Sequence, residues 1–199
     1  EQIMKATLVG DIHGKLHLFD WNSTFPIIQV GDLGFSDTYE LIKEIPPRHF
    51  RILGGNHDEY PVLKTMTQYL GDYGIIPGTE KTFFCRGANS IDKAFRTEGI
   101  SWWRDEELNH VEGSAMLDLY EEVKPEVMIT HDCPDILKSL MFDRNAIPSI
   151  TGQLFNEAFR VHRPKFWYFG HWHEDKIFQW HGTTFVCLAE GKHLEVELP

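Results

Sequence analysis

Gly10-Asp11-Ile12-His13-Gly14 sets a carboxylate and an imidazole two residues apart, a spacing that turns both side chains to one side of an extended backbone. Such a pair suits chelation of a divalent cation. Gly31-Asp32-Leu33-Gly34 offers a second carboxylate, and Gly55-Asn56-His57-Asp58 an amide oxygen followed by an imidazole backed by an acid. His131 stands alone in Thr130-His131-Asp132-Cys133-Pro134, and Gly170-His171-Trp172-His173 repeats the two-residue spacing with two imidazoles. Singly, each block has an ordinary explanation, such as a helix cap at Asp32 or an Asx turn at Asn56. Together, Asp11, His13, Asp32, Asn56, His131, His171 and His173 supply oxygen and nitrogen donors enough for two cations. Mixed donors of this kind fit Mn²⁺, Fe²⁺/³⁺, Zn²⁺ or Ni²⁺ better than an all-oxygen magnesium site, and manganese is the favoured expectation.

Five strands have to end where these blocks begin. Ala6-Thr7-Leu8-Val9 runs into Gly10-Asp11, Ile27-Ile28-Gln29-Val30 into Gly31-Asp32, and Phe50-Arg51-Ile52-Leu53 into Gly54-Gly55-Asn56-His57. Val127-Met128-Ile129-Thr130 leads to His131, and Phe166-Trp167-Tyr168-Phe169 to Gly170-His171. Short β-branched and aromatic runs bounded by glycine or polar clusters read as strands. Helices are expected over 37–44, 107–123 and 152–162, which makes the fold class α/β. Neighbouring strand ends in such folds open on one crevice, so the donors should gather there. The tail, with runs at 176–180, 184–188 and 194–198 broken at His181-Gly182 and Glu190-Gly191, reads as an antiparallel meander. With no repeat at a period of about 20–50 residues and no low-complexity linker, residues 1–199 are expected to form a single domain.

The 199 residues, 42% hydrophobic and 25% charged, are those of an ordinary soluble globule. A net charge of −11 argues against an extended nucleic-acid surface, which needs basic residues to displace counterions from phosphates. Bound cations would supply positive charge locally, so a small anionic substrate stays compatible with an acidic chain. Cys85, Cys133 and Cys187 form no CxxC pair, so a disulfide framework is not expected and a reducing cytoplasm is. No charged-then-apolar leader is visible and no run approaches the roughly 18 apolar residues of a membrane span.

The ordered blocks resemble the signature of the calcineurin-like metallophosphoesterases: GDxH, GDxx, GNH, a lone His, and GHxH. All five occur in order between Gly10 and His173. The resemblance implies a sandwich of two β-sheets flanked by helices in αββα layers. It also implies one metal site from Asp11, His13, Asp32 and His173, and a second from Asp32, Asn56, His131 and His171, bridged by Asp32. Two departures matter. The protein Ser/Thr phosphatase branch extends its second block to GDxxDRG and places an arginine before GNH, whereas this chain has Gly31-Asp32-Leu33-Gly34-Phe35-Ser36 and Gly54. Both phosphate-gripping arginines are therefore missing from those positions. Asp132 follows the lone histidine, where many relatives carry a small residue, and is expected to be a turn residue rather than a support for the site.

Two cations about 3.5–4 Å apart can activate a shared hydroxide for in-line attack and neutralise the phosphoryl oxygens. His57 is the expected proton donor to the leaving oxygen, because it adjoins a ligand without evidently being one; Asp58 is expected to orient it or hold it protonated. The segment from about 85 to 107 is the least family-like part, and Arg86, Arg96, Trp102, Trp103 and Arg104 are candidate substrate contacts, since aromatics stack bases and arginines pair phosphates. The same residues would equally suit a cover of strands and turns whose tryptophans fill core. Cys133 is expected to be a small buried thiol. The leading expectation is a hydrolase of phosphodiesters or nucleotide-like phosphates. A phosphomonoesterase comes second, and a protein-binding scaffold without catalysis third; the intact Asp11, His13 and His57 speak against the scaffold.

Overall fold

Strands that alternate two apolar sets need cover on both faces, and this chain provides it with layers. A computed structural model describes residues 3–142 and 147–199, and its strands are β1 (Met4–Val9), β2 (Ile27–Gln29), β3 (Phe50–Ile52), β4 (Tyr73–Ile75), β5 (Thr82–Cys85), β6 (Val127–Thr130), β7 (Phe166–Phe169), β8 (Lys176–Trp180), β9 (Thr183–Cys187) and β10 (His193–Leu198). One sheet has the order β10-β1-β2-β3, the other β4-β5-β6-β7-β9-β8. Strands β1, β2 and β3 run parallel, as do β5, β6, β7 and β9, so their carboxyl ends point the same way within each sheet.

The period of two along each strand sorts side chains between layers. Ala6, Leu8, Ile28, Val30, Phe84, Val127, Ile129 and Val186 face one another between the sheets. Phe83, Cys85, Met128, Trp167, Phe169 and Phe185 point the other way, against α3 (His110–Val123), α4 (Asp135–Phe142) and α5 (Ile150–Val161). On the opposite side Val9, Ile27, Phe50 and Ile52 pack under α1 (Ser36–Ile42) and α2 (Tyr60–Leu63). The layers are thus αββα, as expected. Asn109 starts α3 with a reciprocal capping box to Glu112, which places the helix start three residues later than the sequence pattern suggests.

The tail departs from the expected meander. β8 and β9 do form an antiparallel hairpin, but β10 leaves their sheet and pairs antiparallel with β1, from Met4↔Leu198 to Val9↔His193. The Glu190-Gly191 break is a crossing between sheets rather than a hairpin turn: Gly191 N donates to Asp11 O at 2.9 Å and Gly10 N to Lys192 O at 3.0 Å. The crossing covers the free edge of β1 and returns Val196 and Leu198 to the inter-sheet core. The 85–107 cover also differs from expectation. Beyond Cys85 it holds two single turns at Lys93–Phe95 and Arg104–Glu106 and one isolated bridge between Glu98 and Trp102, with no strand among its described residues.

Candidate metal centre

Each sheet ends in the same crevice, and the backbone turns sharply there. His13, Asp32, His171 and His173 have φ of 49°, 56°, 68° and 54°, a left-handed conformation uncommon for residues with side chains and concentrated at functional sites. Close approach explains two of the neighbouring glycines. A Cβ on Gly55 would overlap Asp32 Oδ1, and one on Gly170 would overlap Asp11 Oδ1.

Backbone amides from distant blocks pin one oxygen of each buried carboxylate and turn the other toward the histidines of the crevice. Asp11 Oδ1 accepts from His171 N at 2.9 Å, and Asp32 Oδ1 from His57 N at 2.8 Å. Asp11 Oδ2 then lies 3.0 Å from His173 Nε2 and 3.6 Å from His13 Nε2, while the two Nε2 atoms are 3.0 Å apart. Asp32 Oδ2 lies 3.3 Å from His131 Nε2 and 3.8 Å from His13 Nε2, so one oxygen borders both groups. Asn56 Oδ1 is 3.2 Å from His131 Nε2. His131 Nδ1 donates to Val30 O at 2.8 Å, which turns Nε2 to the crevice side as the atom that could meet a cation.

These separations are those of ligands around an ion. Donors about 2.0–2.2 Å from a cation stand about 2.8–3.6 Å from each other in tetrahedral or octahedral shells. Asp11, His13 and His173 form one such cluster and Asp32, His131 and His171 another, each with its donor atoms within 4.8 Å. The donor set therefore fits two cations. Its electrostatics agree: burial alone would raise the Asp11 carboxyl, but the His131 charge and hydrogen bonds from His13, His173 and His171 hold it well below the usual range. Asp32 is likewise pulled down to about 2 against its burial, chiefly by His131. Burial would lower His131, yet Asp32 and Asp11 lift it to about 10. Concentrated negative charge without a cation keeps a proton on that ring.

Asp58 does not serve His57. Its buried carboxylate accepts from Asp32 N and Gly55 N at 2.8 Å, Leu33 N at 2.9 Å and Tyr39 Oη at 2.8 Å. It braces the strained turn at Asp32 instead, because five donors, Gly34 N at 3.4 Å among them, converge where the Asp32 backbone is left-handed. The His57 ring meets His13 edge-on, with centroids 5.5 Å apart. Burial lowers its pKa, Asp32 opposes that, and Arg96, His13 and His131 push it further down.

The candidate substrate contacts divide by burial. Arg86 is 2% exposed, lies over the Tyr60 ring at 4.8 Å, pairs with Asp72 and donates to Asp105 O, so it is a core tie rather than a phosphate ligand. Trp103 belongs to the core under α2. Arg104 is exposed and paired with Glu98. Trp102 is half-buried, with Lys93 Nζ 6.0 Å from its ring centre. Arg96, paired with Asp92 at 2.7 Å, carries a charge felt at both His57 and Asp32.

Three supports, Lys138, Ser90 and Glu106, escape the sequence motifs. Asp132 is no simple turn residue: buried, it takes Trp172 Nε1 at 3.0 Å on one oxygen and Lys138 Nζ at 2.8 Å on the other. Trp172 stands between His171 and His173, so this pair steadies the GHWH turn. Ser90 Oγ accepts from Asn56 Nδ2 at 3.0 Å, and Glu106 accepts from Ser90 N and Ser90 Oγ at 3.0 and 2.6 Å. A lysine amid the apolar face of α4 is the one available signal. Cys133 is a buried free thiol, as expected.

A family model described as calcineurin-like phosphoesterase matches residues 4–175. The chain belongs to the calcineurin-like phosphoesterase family. Membership makes it a metallophosphoesterase, a hydrolase of phosphoric ester bonds, and accords with the αββα layers and the donor clusters. A phosphopantetheinyl hydrolase from Mycobacterium tuberculosis is similar in structure, with a TM-score of 0.56, 13% identity, and coverage of 94% of this chain and 91% of that one. The protein TT1561 of Thermus thermophilus aligns over 100% of both chains, with a TM-score of 0.57 and 12% identity. A Staphylococcus aureus protein assigned as a 5′-nucleotidase aligns over 100% of this chain but 51% of its own, with a TM-score of 0.57 and 12% identity. At such identities the likeness speaks for the fold alone. Comparison with curated protein sequences gives no match. Among the described residues no helix is long and apolar enough to cross a membrane.

Proposed function

We propose that the chain hydrolyses phosphodiesters or nucleotide-like phosphates at a two-cation site. Asp11, His13 and His173 would hold one ion, Asn56, His131 and His171 the other, with Asp32 shared. Manganese is the favoured pair among the metals this donor set suits. Bound there, the ions would supply Lewis acidity to activate water and to neutralise the phosphoryl oxygens. The rest falls to the chain. Arg96 positions a phosphoryl oxygen beside Asp32 and His57, and His57 delivers a proton to the leaving oxygen, which the anionic substrate helps it to hold against its depressed pKa.

The observation that carries the preference is the scarcity of guanidinium at the rim among the described residues. Arg96 is already paired with Asp92, Arg86 is locked in the core, and a side chain at Gly54 would run into the Tyr60 hydroxyl at 2.7 Å. A dianionic monoester gains most from arginine clamps and a diester least. The names of two fold relatives, a phosphopantetheinyl hydrolase and a 5′-nucleotidase, are compatible with a small nucleotide-like or cofactor-like phosphate.

The test compares bis-nitrophenyl phosphate with nitrophenyl phosphate in the presence of Mn²⁺. kcat/KM should be higher for the diester, and Arg96→Ala should lower it about 10- to 100-fold, the worth of a charge-assisted hydrogen bond. A clear preference for the monoester overturns the reading.

A further inference from the structure

We propose that Ser90 and Glu106 form a positioning pair that fixes the Asn56 side-chain amide with its oxygen toward the second cation position, so that the 87–107 cover sets the affinity of that position. The inference rests on the two-cation reading and concerns residues outside the donor set.

Proton counting fixes which way the amide faces. An asparagine amide presents an acceptor oxygen and a donor nitrogen of nearly equal size, and its environment decides which faces a given neighbour. A cation requires the oxygen. At Asn56 the neighbour on the cover side is Ser90 Oγ, 3.0 Å from Nδ2. A serine hydroxyl has one proton. Glu106 takes it, with Ser90 Oγ donating to Oε2 at 2.6 Å, while Ser90 N donates to Oε1 at 3.0 Å and holds the carboxylate in register. Ser90 Oγ is left only with lone pairs toward Asn56, so Asn56 has to offer N–H there and keep Oδ1 for the crevice, where it lies 3.2 Å from His131 Nε2.

All three residues are buried, at 2% exposure each, so water does not compete for these bonds. The pair also anchors the cover. Glu106 O accepts from Ala88 N at 3.2 Å, and Gly87, at φ 100°, passes so close to that carbonyl that a Cβ would overlap it. Both ends of the cover thus meet at the point that orients a metal ligand. Arg96 lies on the same loop, so displacing the loop would disturb ligand and substrate contact together.

The test is metal affinity, read by calorimetry and by Mn²⁺ paramagnetic resonance on wild type, Ser90→Ala, Ser90→Thr and Glu106→Gln. Wild type should take two Mn²⁺ and show the spectrum of a spin-coupled pair. Ser90→Ala should keep one ion at wild-type affinity and bind the other about 10- to 100-fold more weakly, the usual effect of losing a residue that orients a ligand. Its spectrum should turn to that of an isolated ion. Ser90→Thr, which restores the hydroxyl, should recover the coupled spectrum, and Glu106→Gln, which can offer Ser90 a donor instead of an acceptor, should fall between. Wild-type affinity for both ions in Ser90→Ala overturns the positioning role. If that variant does not fold, wild-type affinity for both ions in Glu106→Gln does so. A wild type that binds no second ion would sink the two-cation reading itself, a result distinct from either.

Discussion

His13 and His173, at opposite ends of the chain, aim their Nε2 atoms at each other across 3.0 Å, with Asp11 Oδ2 3.6 Å from the first and 3.0 Å from the second. A single proton can bridge the two rings only by leaving one nitrogen as acceptor; a cation satisfies both at once. Metal analysis of the purified protein should therefore find close to two transition-metal ions per chain. Asp32→Ala should lose both, because Asp32 Oδ2 borders both clusters. Unchanged stoichiometry in that variant would remove Asp32 from its bridging place.

Metal uptake should depend on pH with a definite sign. A ligand histidine must be neutral at the coordinating nitrogen. Burial works against charge on His131, but Asp32 and Asp11 raise it to about 10, so the metal-free protein keeps that proton throughout the neutral range. Binding then expels it, and affinity rises as pH rises toward 10. Titration calorimetry in buffers of different ionisation enthalpy should show proton release at pH 7 and tighter binding at pH 8 than at pH 6. Affinity that stays flat over that interval contradicts the charge assignment.

The five ligand blocks are legible in the sequence because residue type carries their meaning: a carboxylate or imidazole after a strand keeps its chemistry wherever the chain goes. Arg86 and Trp103 show the limit of that legibility. Their types suit a substrate, but burial decides against it, and burial depends on partners such as Tyr60 and Asp72 that no local pattern announces. β10 reads as a strand, yet its neighbour does not follow from the pattern, since a hairpin turn and a sheet crossing at Gly191 differ only in which carbonyl accepts the next amide. α4 is obscured because Lys138 interrupts its apolar face, and that lysine is there for Asp132. Ser90 and Glu106 lie 34 and 16 residues from their respective partners, Asn56 and Ser90, beyond the reach of any motif.

His57→Ala should leave metal content intact and reduce turnover by about 10²–10⁴, the usual contribution of a general acid. The His57 ring touches His13 edge-on, and its backbone amide, which alanine retains, is what holds Asp32. The loss should be smaller for substrates with a nitrophenolate leaving group, which needs little protonation. Loss of metal together with activity would make His57 a ligand.

The pair of Lys138 and Asp132 predicts a stability effect with its own pH signature. Lys138, 3% exposed, reaches Asp132 at 2.8 Å and Asp135 at 2.7 Å, and Asp132 in turn holds Trp172 between two ligand histidines. Lys138→Met keeps the volume and removes the charge, leaving a buried carboxylate without its lysine, which costs about 3–5 kcal/mol. In the wild type, burial would raise Asp132, but Lys138 and His171 hold it below its usual value. Its contribution is therefore present above the ordinary aspartate pKa of about 3.9 and lost as pH falls through the lower folded value. In the variant the shift reverses, because burial outweighs what His171 and the Cys133 amide still supply; the folded state then favours the protonated acid, and acid relieves the penalty. Urea unfolding should show the largest gap between the two proteins near pH 7, narrowing below about pH 4. Asp132→Asn in the Lys138→Met background should recover part of the loss at neutral pH, since the amide needs no counter-ion. A gap that is constant with pH would mean that Lys138 contributes through its packing against Trp172, where its Nζ lies 5.9 Å from the ring centre, rather than through its charge.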